Sequence, residues 1–371
     1  MLQIVSFPID DVALVAAPAT GAVAVVDATA RVVLEGLRNG ESEAALVTRL
    51  SRRCGVDRAV AAGHIADLRR TWTTLARPLR RRTRPASFPQ STRPPALDAV
   101  CDVGPVPVRL RIWPPRLAAL VGAVTAPCRG PGHDWAGVAN GPTLDACRVG
   151  RCYLLFRDGA HLLSTDSLMI ARSEMLRHLV LASHPDRAWM AVLHGAGVAG
   201  PDGAALLCGS SGADKSTLTA MLLADGLDLV TDDYAPLEVG SNKLWPVPFG
   251  LSVKEGSWGL LAPRFPDIAS APVVRTRGRR QRYIRPPRMA STPQHIRCLV
   301  FPLYRAGTPF ELLKLRAGEA LELCARSGGW YESSRERLQE LTRWLERTPA
   351  YALSYGDGVD AVAAVRRLLD A

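Results

Sequence analysis

The sequence predicts an α/β fold with some α+β character, in which a small first domain precedes a larger one. A glycine-rich segment between an apolar strand and an apolar helix, in the second half of the chain, predicts the larger domain. Three short apolar runs followed by three helical patterns, all within the first 76 residues, predict the smaller one. The chain has 371 residues, of which 47% are hydrophobic, so it can bury enough surface for two domains.

The glycine-rich segment is GSSGADKST, from Gly209 to Thr217. It fits the phosphate-binding P-loop pattern GxxxxGK[ST] at every fixed position but one, where Asp214 replaces the last glycine. The apolar run 204–208 predicts a strand that enters the loop, and the run 218–223 predicts the helix that leaves it. In such a loop, backbone N–H groups and the helix N-terminus surround a phosphate, so a nucleoside triphosphate is the expected ligand.

Each residue of the segment is expected to contribute to ATP binding. The set comprises Gly209, Ser210, Ser211, Gly212, Ala213, Asp214, Lys215, Ser216 and Thr217. Lys215 is expected to place its ammonium near the β- and γ-phosphate oxygens, and the Ser216 hydroxyl to ligate Mg²⁺. The carboxylate of Asp214 opposes nucleotide binding through charge repulsion unless it turns outward or toward the metal, although Asp tolerates the backbone angles of a glycine site. A weak or decayed nucleotide site is therefore the alternative.

A histidine and two aspartates flank the P-loop in the sequence. His194 is expected at the end of the first strand of a hairpin that turns through Gly-Pro-Asp-Gly. Asp232 and Asp233 follow an apolar strand, the position from which an acidic residue can reach Mg²⁺ and the γ-phosphate. Adjacent residues of a strand face opposite sides, so we expect one carboxylate to hold metal and the other to face the acceptor. Taken alone, without any family resemblance, His194 is by default a structural histidine at a strand end.

Two further basic features lie downstream. The run from Arg275 to Arg288 is rich in arginine, glycine and proline, which predicts a mobile loop that closes on the phosphates. Arg285 in this run is the candidate for stabilising the transferred phosphoryl group, and a solvated basic loop is the alternative. Lys254 is expected to reach a phosphate or an anionic substrate, the alternative being an exposed, solvated lysine.

Residues 1–76 are expected to fold as a separate small domain, with three strands in the runs 2–7, 12–17 and 22–26 and three helices after them. Asp27 and Asp57 are placed to cap the first and third helices, and Gly55 to end the second. Residues 77–97 are rich in proline and arginine and predict an extended linker. The second domain is expected over residues 98–371.

His194, GSSGADKST and TDDYAPLE, in this order and spacing, resemble the HPr kinase/phosphorylase family, whose P-loop kinase fold is akin to that of phosphoenolpyruvate carboxykinase. The resemblance implies that His194 and Lys215 are active-site residues and that Asp233 is the base for the acceptor hydroxyl, which leaves Asp232 for the metal. The glycine-rich segment with a metal-binding glutamate that this family carries after the paired aspartates is missing. The divergent kinases attached to peptide biosynthesis are therefore the better match.

The length, the element order and the phrase VDATARVVLEGL of residues 1–76 resemble the winged-helix-like PqqD-type peptide-recognition domain. That resemblance implies a partner, the leader of a ribosomally made precursor peptide, which adds a strand to the sheet beside the last helix. A generic winged-helix module for dimerisation or DNA is the alternative. Relatives of the kinase family are often oligomeric, so a homo-oligomer is a further expectation.

Composition excludes several other classes. The net charge of +11 is concentrated in two arginine-rich stretches without interleaved aromatic residues, which argues against nucleic acid as a partner. Eight scattered cysteines without a CxxC pair argue against a zinc site or a disulfide framework. The sequence has no apolar run long enough to span a membrane and starts without a signal-peptide pattern, so a cytoplasmic protein is expected.

The sequence therefore predicts an ATP- and Mg²⁺-dependent kinase that phosphorylates a Ser or Thr hydroxyl of a peptide or protein docked on residues 1–76. A non-catalytic leader-peptide adaptor or nucleotide sensor with a degenerate P-loop is the main alternative. Phosphorylation of a small metabolite is a third.

Overall fold

The computed structural model describes residues 5–17, 20–75, 88, 93–129, 141–210, 214–276 and 278–370. Within these ranges helices and strands are mixed, which confirms the predicted α/β class. The predicted linker 77–97 lies largely outside the described ranges, and its last residue, Leu97, begins a strand.

The first part of the chain is a three-stranded antiparallel sheet followed by three helices, as the apolar runs and helix caps predict. The strands are β1 (Val5–Ile9), β2 (Val12–Ala17) and β3 (Ala22–Asp27), and they lie in the order β1-β2-β3. The helices are α1 (Ala28–Arg38), α2 (Glu43–Cys54) and α3 (Arg58–Leu75).

The caps of these helices are the ones expected. Asp27 accepts a hydrogen bond from the backbone N–H of Ala30 at 2.6 Å, which satisfies one of the free N–H groups at the start of α1. Gly55 ends α2 in the left-handed conformation, with φ of 64°. Asp57 accepts from the backbone N–H of Ala59 at 2.6 Å just before α3.

A second, five-stranded sheet follows, in the order β4-β5-β6-β7-β8. Its strands are β4 (Leu97–Cys101), β5 (Val108–Ile112), β6 (Thr143–Val149), β7 (Cys152–Arg157) and β8 (Ala160–Thr165). Two helices, α4 (Pro115–Thr125) and α5 (Leu168–Ala182), share one hydrophobic core with this sheet.

The largest sheet has ten strands and carries the glycine-rich segment. Its strands are β9 (Trp189–Leu193), β10 (Gly195–Gly200), β11 (Gly203–Cys208), β12 (Asp228–Thr231), β13 (Ala235–Glu238), β14 (Lys243–Leu244), β18 (Gln294–Tyr304), β19 (Glu311–Leu315), β20 (Gly329–Tyr331) and β21 (Ala350–Tyr355). The main order is β12-β10-β11-β18-β14-β13-β9-β20, with β21 pairing with β18 and β19. The helices associated with it are α6 (Lys215–Ala224), α9 (Ala317–Ser327), α10 (Arg335–Arg347) and α11 (Gly358–Asp370).

The basic run from Arg275 to Arg288, expected to be a mobile loop, instead contributes two paired strands. Strands β15 (Leu251–Lys254), β16 (Val274–Thr276) and β17 (Arg279–Ile284) form a small antiparallel sheet in the order β15-β17-β16, next to the short helices α7 (Trp258–Leu261) and α8 (Asp267–Ser270). Gln281 and Ile284 of β17 are buried. The guanidinium groups of Arg280 and Arg282 lie 5.4 and 4.4 Å from the ring centre of Trp258. The charge density of this run predicted a loop without packing contacts, but the arginine stems and their cation–π contacts pack against Trp258.

The N-terminal sheet packs directly on helices α9 and α10. Ile9 and Leu14 share a buried core cluster with Leu321 of α9 and Leu338 of α10. The backbone N–H of Gly318 donates to Asp10 Oδ2 at 2.7 Å, and a Cβ at position 318 would lie only 3.0 Å from the carbonyl oxygen of Ile9. Glycine permits this close approach of the N-terminal sheet to α9.

Two general features of the chain bear on its class. Among the described residues, no helix is long and apolar enough to cross a membrane. The eight cysteines are free thiols, and six of them are buried.

Candidate active site

The strand and helix predicted around the glycine-rich segment are confirmed. Strand β11 is buried along its whole length and leads into Gly209 and Ser210, and α6 begins at Lys215. The remaining predicted loop residues, Ser211, Gly212 and Ala213, lie outside the described residues. Lys215 and Ser216 therefore occupy the first positions of a buried helix, where free backbone N–H groups and the helix dipole favour an anion.

Asp214 adopts the backbone conformation that the glycine of the P-loop pattern would take. Its φ and ψ are 62° and 19°, in the left-handed region that Asp tolerates better than most residues. Its Oδ1 accepts a hydrogen bond from Thr217 Oγ1 at 2.7 Å, and Thr217 Oγ1 also lies 2.6 Å from Ser257 Oγ. The substitution therefore fits the backbone, and a hydroxyl within α6 binds the carboxylate.

His194 was expected at the end of the first hairpin strand, and it lies between the end of one strand and the start of the hairpin strand that follows. Strand β9 ends at Leu193 and pairs with β13 and β20, whereas β10 begins at Gly195 and pairs with β11 and β12. The backbone N–H of His194 donates to the carbonyl oxygen of Gly328 at 3.1 Å. The break leaves the imidazole half-buried beside the start of α6.

Three side chains meet at this break. His194 Nε2 lies 3.3 Å from Lys215 Nζ, and His194 Nδ1 lies 3.5 Å from Asp233 Oδ1 and 3.3 Å from the Asp233 carbonyl oxygen. Lys215 Nζ lies 3.8 Å from Asp233 Oδ1. The three residues that the resemblance names as active-site residues, far apart in sequence, thus form one cluster.

The geometry fixes the protonation of this cluster. An ammonium group can only donate, so His194 Nε2 accepts from Lys215, and Nδ1 carries the hydrogen that points to Asp233. Burial lowers the pKa of His194, and Lys215 acts in the same direction, so the imidazole is neutral at neutral pH. Burial alone would raise the pKa of Asp233, but the interaction with His194 and the positive charges of Lys215 and Arg172 bring this pKa below its ordinary value. Asp233 is therefore an ionised hydrogen-bond acceptor.

Asp232 has a different environment from its neighbour. Its side chain is 2% exposed, its Oδ2 accepts from the backbone N–H of Ser252 at 2.8 Å, and its Oδ1 has no hydrogen-bond partner among the described residues. Burial and then the charge of Asp233 raise the pKa of Asp232. The expectation that the two carboxylates differ agrees with this geometry, but the reason is not strand alternation. Strand β12 ends at Thr231, and Asp233 turns into the left-handed region with φ of 66°.

The cluster opens into a cleft of about 660 Å³. The predicted residues His194, Ser210, Lys215, Ser216, Asp233 and Lys254 line it. Six cationic side chains face two carboxylates across its wall; the cations are Arg172, Arg177, Lys215, Lys254, Arg279 and Arg326, and the acids are Glu174 and Asp233. This balance of charge favours anionic ligands.

Five described residues that were predicted for the site do not line the cleft: Gly209, Asp214, Thr217, Asp232 and Arg285. Arg285 is exposed, donates to the carbonyl oxygen of Pro127 at 3.2 Å and is not among the residues that line the cleft. Arg279, at the other end of β17, lines the cleft instead. The side chain of Thr217 is buried against Asp214 and Ser257, as described above, and is also absent from the wall.

The sequence reasoning missed the wall formed by α5 and by the segment from α9 into β20. Arg172 and Arg177 of α5 line the cleft, and so does Trp330, whose ring centre lies 5.1 Å from the Arg177 guanidinium carbon. Arginines in an apolar helix carry no motif. The sequence shows only that Arg172 and Arg177 lie five residues apart, and this spacing does not indicate a ligand.

Within the described ranges, no group of three or more His, Cys, Asp or Glu side chains is arranged to hold a metal ion. Comparison with protein-family models and with curated proteins found no match to the chain. The residues of the cleft are therefore what indicates a function.

Proposed function

We propose that this protein is an ATP-dependent kinase that phosphorylates a Ser or Thr hydroxyl of a peptide or protein. The observation that supports it best is the cluster of His194, Lys215 and Asp233 at the N-terminus of α6, in a cleft with an excess of positive charge. A cation at a helix N-terminus after a buried strand suits a phosphate chain, and an ionised carboxylate beside it suits a hydroxyl acceptor.

ATP would be bound by the first turn of α6 and by the basic side chains around it. Lys215 is poised for the β- and γ-phosphates, and Ser210, Ser216 and Lys254 line the same part of the wall. Burial lowers the pKa of Lys254, and the charge of Lys215 lowers it further, so a polyphosphate would relieve the repulsion between the two lysines. The bonding of Asp214 to Thr217 keeps its carboxylate engaged within α6.

The residues present are suited to Mg²⁺. This ion usually takes one or two carboxylates together with phosphate oxygens and water, so it does not need a cluster of three acids. The unpartnered, buried Oδ1 of Asp232 is a donor of the right kind, and Ser216 supplies a hydroxyl on the cleft wall. When bound there, Mg²⁺ would neutralise phosphate charge; Asp232 and Ser216 would be its protein ligands.

The transfer step uses the ionised carboxylate. Asp233 accepts the proton of the acceptor hydroxyl as the hydroxyl oxygen forms a bond to the γ-phosphorus, and the bond from that phosphorus to the bridging oxygen of ADP breaks. Lys215 stabilises the charge on the phosphoryl oxygens. Neutral His194 donates from Nδ1 to the backbone carbonyl oxygen of Asp233 at 3.3 Å, with the carboxylate oxygen Oδ1 at 3.5 Å from the same nitrogen, and so helps to position Asp233.

The proposed acceptor is a precursor peptide whose leader docks on the N-terminal sheet. In the described part of that sheet, β3 lies at one edge and pairs only with β2, so an extended segment could add to it. A peptide held there is close to α9, whose last turn contributes Arg326 to the cleft.

Isothermal titration of the intact protein with ATP and Mg²⁺ tests the nucleotide part of the proposal. We expect binding to the wild type and its loss in Lys215→Ala, whereas Lys243→Ala on strand β14, outside the cleft, serves as the matched control and should bind as the wild type does. Binding without phosphoryl transfer would favour the adaptor or sensor alternative. Absent binding at millimolar ATP would show a decayed site.

A further inference from the structure

Arg172 is buried in the cleft wall with part of its hydrogen-bonding capacity unused. Arg172 is only 9% exposed, and its Nη2 donates to the Tyr283 hydroxyl at 2.8 Å. Its Nε has no hydrogen-bond partner among the described residues. A guanidinium group carries five N–H donors and no acceptor. A buried arginine with an unused donor in a cleft is therefore a candidate to bind an anion.

Tyr283 adds a second donor at the same place. Its hydroxyl oxygen accepts from Arg172 and, at 2.6 Å, from Gln281 Nε2, so both lone pairs are used and its own hydrogen remains to be donated. Burial raises the pKa of Tyr283, so the hydroxyl keeps that hydrogen at neutral pH. Arg172 and Tyr283 both line the cleft.

The neighbouring wall reinforces the positive charge. Arg177 lies one and a half turns along α5, stacks against Trp330 and pairs with Glu174, and Arg326 enters the same cleft from the end of α9. Three arginines thus face one carboxylate on this side. The charge of Arg172 also acts on Asp233, since it is among those that lower the pKa of that carboxyl.

These residues come from elements other than the strand, loop and helix that form the phosphate site. Arg172 and Arg177 belong to α5, Tyr283 to β17, and Trp330 to β20, which pairs with β9 next to His194. The acceptor hydroxyl must approach Asp233. An anion bound at Arg172 would therefore belong to the acceptor and not to ATP.

We infer that Arg172, Tyr283 and Arg177 form a subsite for a carboxylate of the acceptor, carried by the residue that bears the reacting hydroxyl or by its neighbour. This inference rests on the proposed function for the identity of the acceptor, but the subsite itself binds a carboxylate with or without ATP. The carboxylate is either the C-terminal main-chain group or an acidic side chain, and both present the same two oxygens to a guanidinium fork.

The subsite can be tested without catalysis by measuring how two small serine derivatives bind to the full-length protein. Ligand-observed saturation-transfer NMR measures this binding. The probes are N-acetylserine, which carries a carboxylate, and N-acetylserinamide, which does not. We expect N-acetylserine to bind about tenfold more tightly than the amide, since a hydrogen bond to a charged group is worth this much. Equal binding of the two probes would overturn the inference.

Variants assign the binding to the proposed residues. Arg172→Gln should lower the affinity for N-acetylserine to that for the amide, whereas Lys215→Ala should leave the difference between the probes in place. Loss of the difference in Lys215→Ala, together with its retention in Arg172→Gln, would place the carboxylate at the phosphate site and overturn the inference.

Arg177→Gln keeps the test decisive if Arg172→Gln does not fold. Its matched control is Arg187→Gln, because Arg187 also pairs with a glutamate, Glu238, and stacks on a tryptophan, Trp245, but lies outside the cleft. We expect Arg177→Gln to weaken N-acetylserine binding and Arg187→Gln to leave it unchanged. Equal effects of the two variants would contradict the assignment.

A third probe, N-acetyl-Ser-Asp with only its C-terminus amidated, has a carboxylate only on its side chain and separates the two sources. Preference for N-acetylserine over this probe supports a C-terminal carboxylate, and the reverse supports an acidic side chain. If the protein binds carboxylates but transfers no phosphate, the subsite is supported and the kinase proposal is refuted. If it phosphorylates peptides without preferring those that carry a carboxylate, the kinase proposal is supported and the subsite is refuted.

Discussion

Replacing Asp233 by Asn separates the chemistry of the cleft from nucleotide binding. Asn also tolerates the left-handed backbone conformation of this position, where φ is 66°, so the turn after β12 should be kept. What is lost is the negative charge beside Lys215 and His194, and with it the proton acceptor for the hydroxyl.

The contacts of Asp233 give the sign and size of each effect. At the observed 3.8 Å, an ion pair between Lys215 and Asp233 is worth at most about 4 kcal/mol at an effective dielectric constant of about 20. ATP must share Lys215 with this carboxylate, so Asp233→Asn should leave the ATP affinity unchanged or raise it, by up to about tenfold. Phosphoryl transfer should fall by about 10² to 10⁴, the usual contribution of a positioned general base.

Two measurements on the same preparations check these signs: titration calorimetry for ATP affinity and transfer of radiolabelled γ-phosphate to the acceptor peptide. Asp228→Asn is the matched control, because Asp228 begins the same strand β12 but is half-exposed and pairs with Arg288. This control should behave as the wild type in both assays. Wild-type turnover in Asp233→Asn would refute its role as base, and a large loss of ATP affinity would refute the competition for Lys215.

Four further predictions concern the metal site, the P-loop and the N-terminal sheet. Burial and the charge of Asp233 raise the pKa of Asp232 to about 7. Binding of Mg²⁺ with ATP should therefore release a proton below pH 7, and the affinity for Mg²⁺ should increase as the pH rises through that value. Calorimetry in buffers of different ionisation enthalpy measures the proton release, which Asp232→Asn should abolish. The same raised pKa makes the metal-free protein lose stability as pH rises from the ordinary 3.8 of an aspartate through the folded-state value, and melting curves of Asp232→Asn should lack this decline. Asp214→Asn keeps the left-handed backbone and an acceptor for Thr217 but removes the charge. This variant and Asp214→Gly should each raise the ATP affinity measured by calorimetry, by up to about tenfold. Unchanged affinity in both variants would show that the carboxylate does not reach the phosphates. An isolated leader peptide added in trans should raise the apparent KM for the full-length peptide and leave kcat unchanged, and no effect at saturating leader would contradict docking on the N-terminal sheet.

Adding the leader peptide in trans is a better test of docking than deleting residues 1–76. Deletion would uncover Leu321 and Leu338, which share a buried cluster with Ile9 and Leu14. A large apolar surface of this kind destabilises a protein when exposed. A change in kcat of the shortened chain would then mix loss of docking with loss of folding.

Local signals in the sequence predicted much of the secondary structure. Asp27, Gly55 and Asp57 act through the residues next to them in the chain, so their caps can be predicted without the tertiary fold. The strand and helix around the glycine-rich segment follow from apolar runs of the right length. The basic strand β17 was mistaken for a mobile loop because its stabilising partner, Trp258, lies more than twenty residues before it.

Some residues of the candidate site could be predicted from local sequence signals, and others could not. Lys215, Asp233 and His194 were found because a motif and its spacing mark them, and the structure brings them within 4 Å of one another. Arg172 and Trp330 were missed because their place in the cleft depends on how α5 and β20 meet β9, which no local pattern encodes. Arg285 was chosen by proximity in a charged run, but its side chain binds Pro127 outside the cleft.

Transfer of phosphate from γ-labelled ATP to precursor peptides encoded by neighbouring genes tests the central claim most directly. Wild-type protein with Mg²⁺ should label a Ser or Thr of one such peptide, and Lys215→Ala and Asp233→Asn should not. Binding of both ATP and peptide with no labelled product, under conditions in which the wild type remains folded, would contradict the assignment of this cleft as a kinase active site.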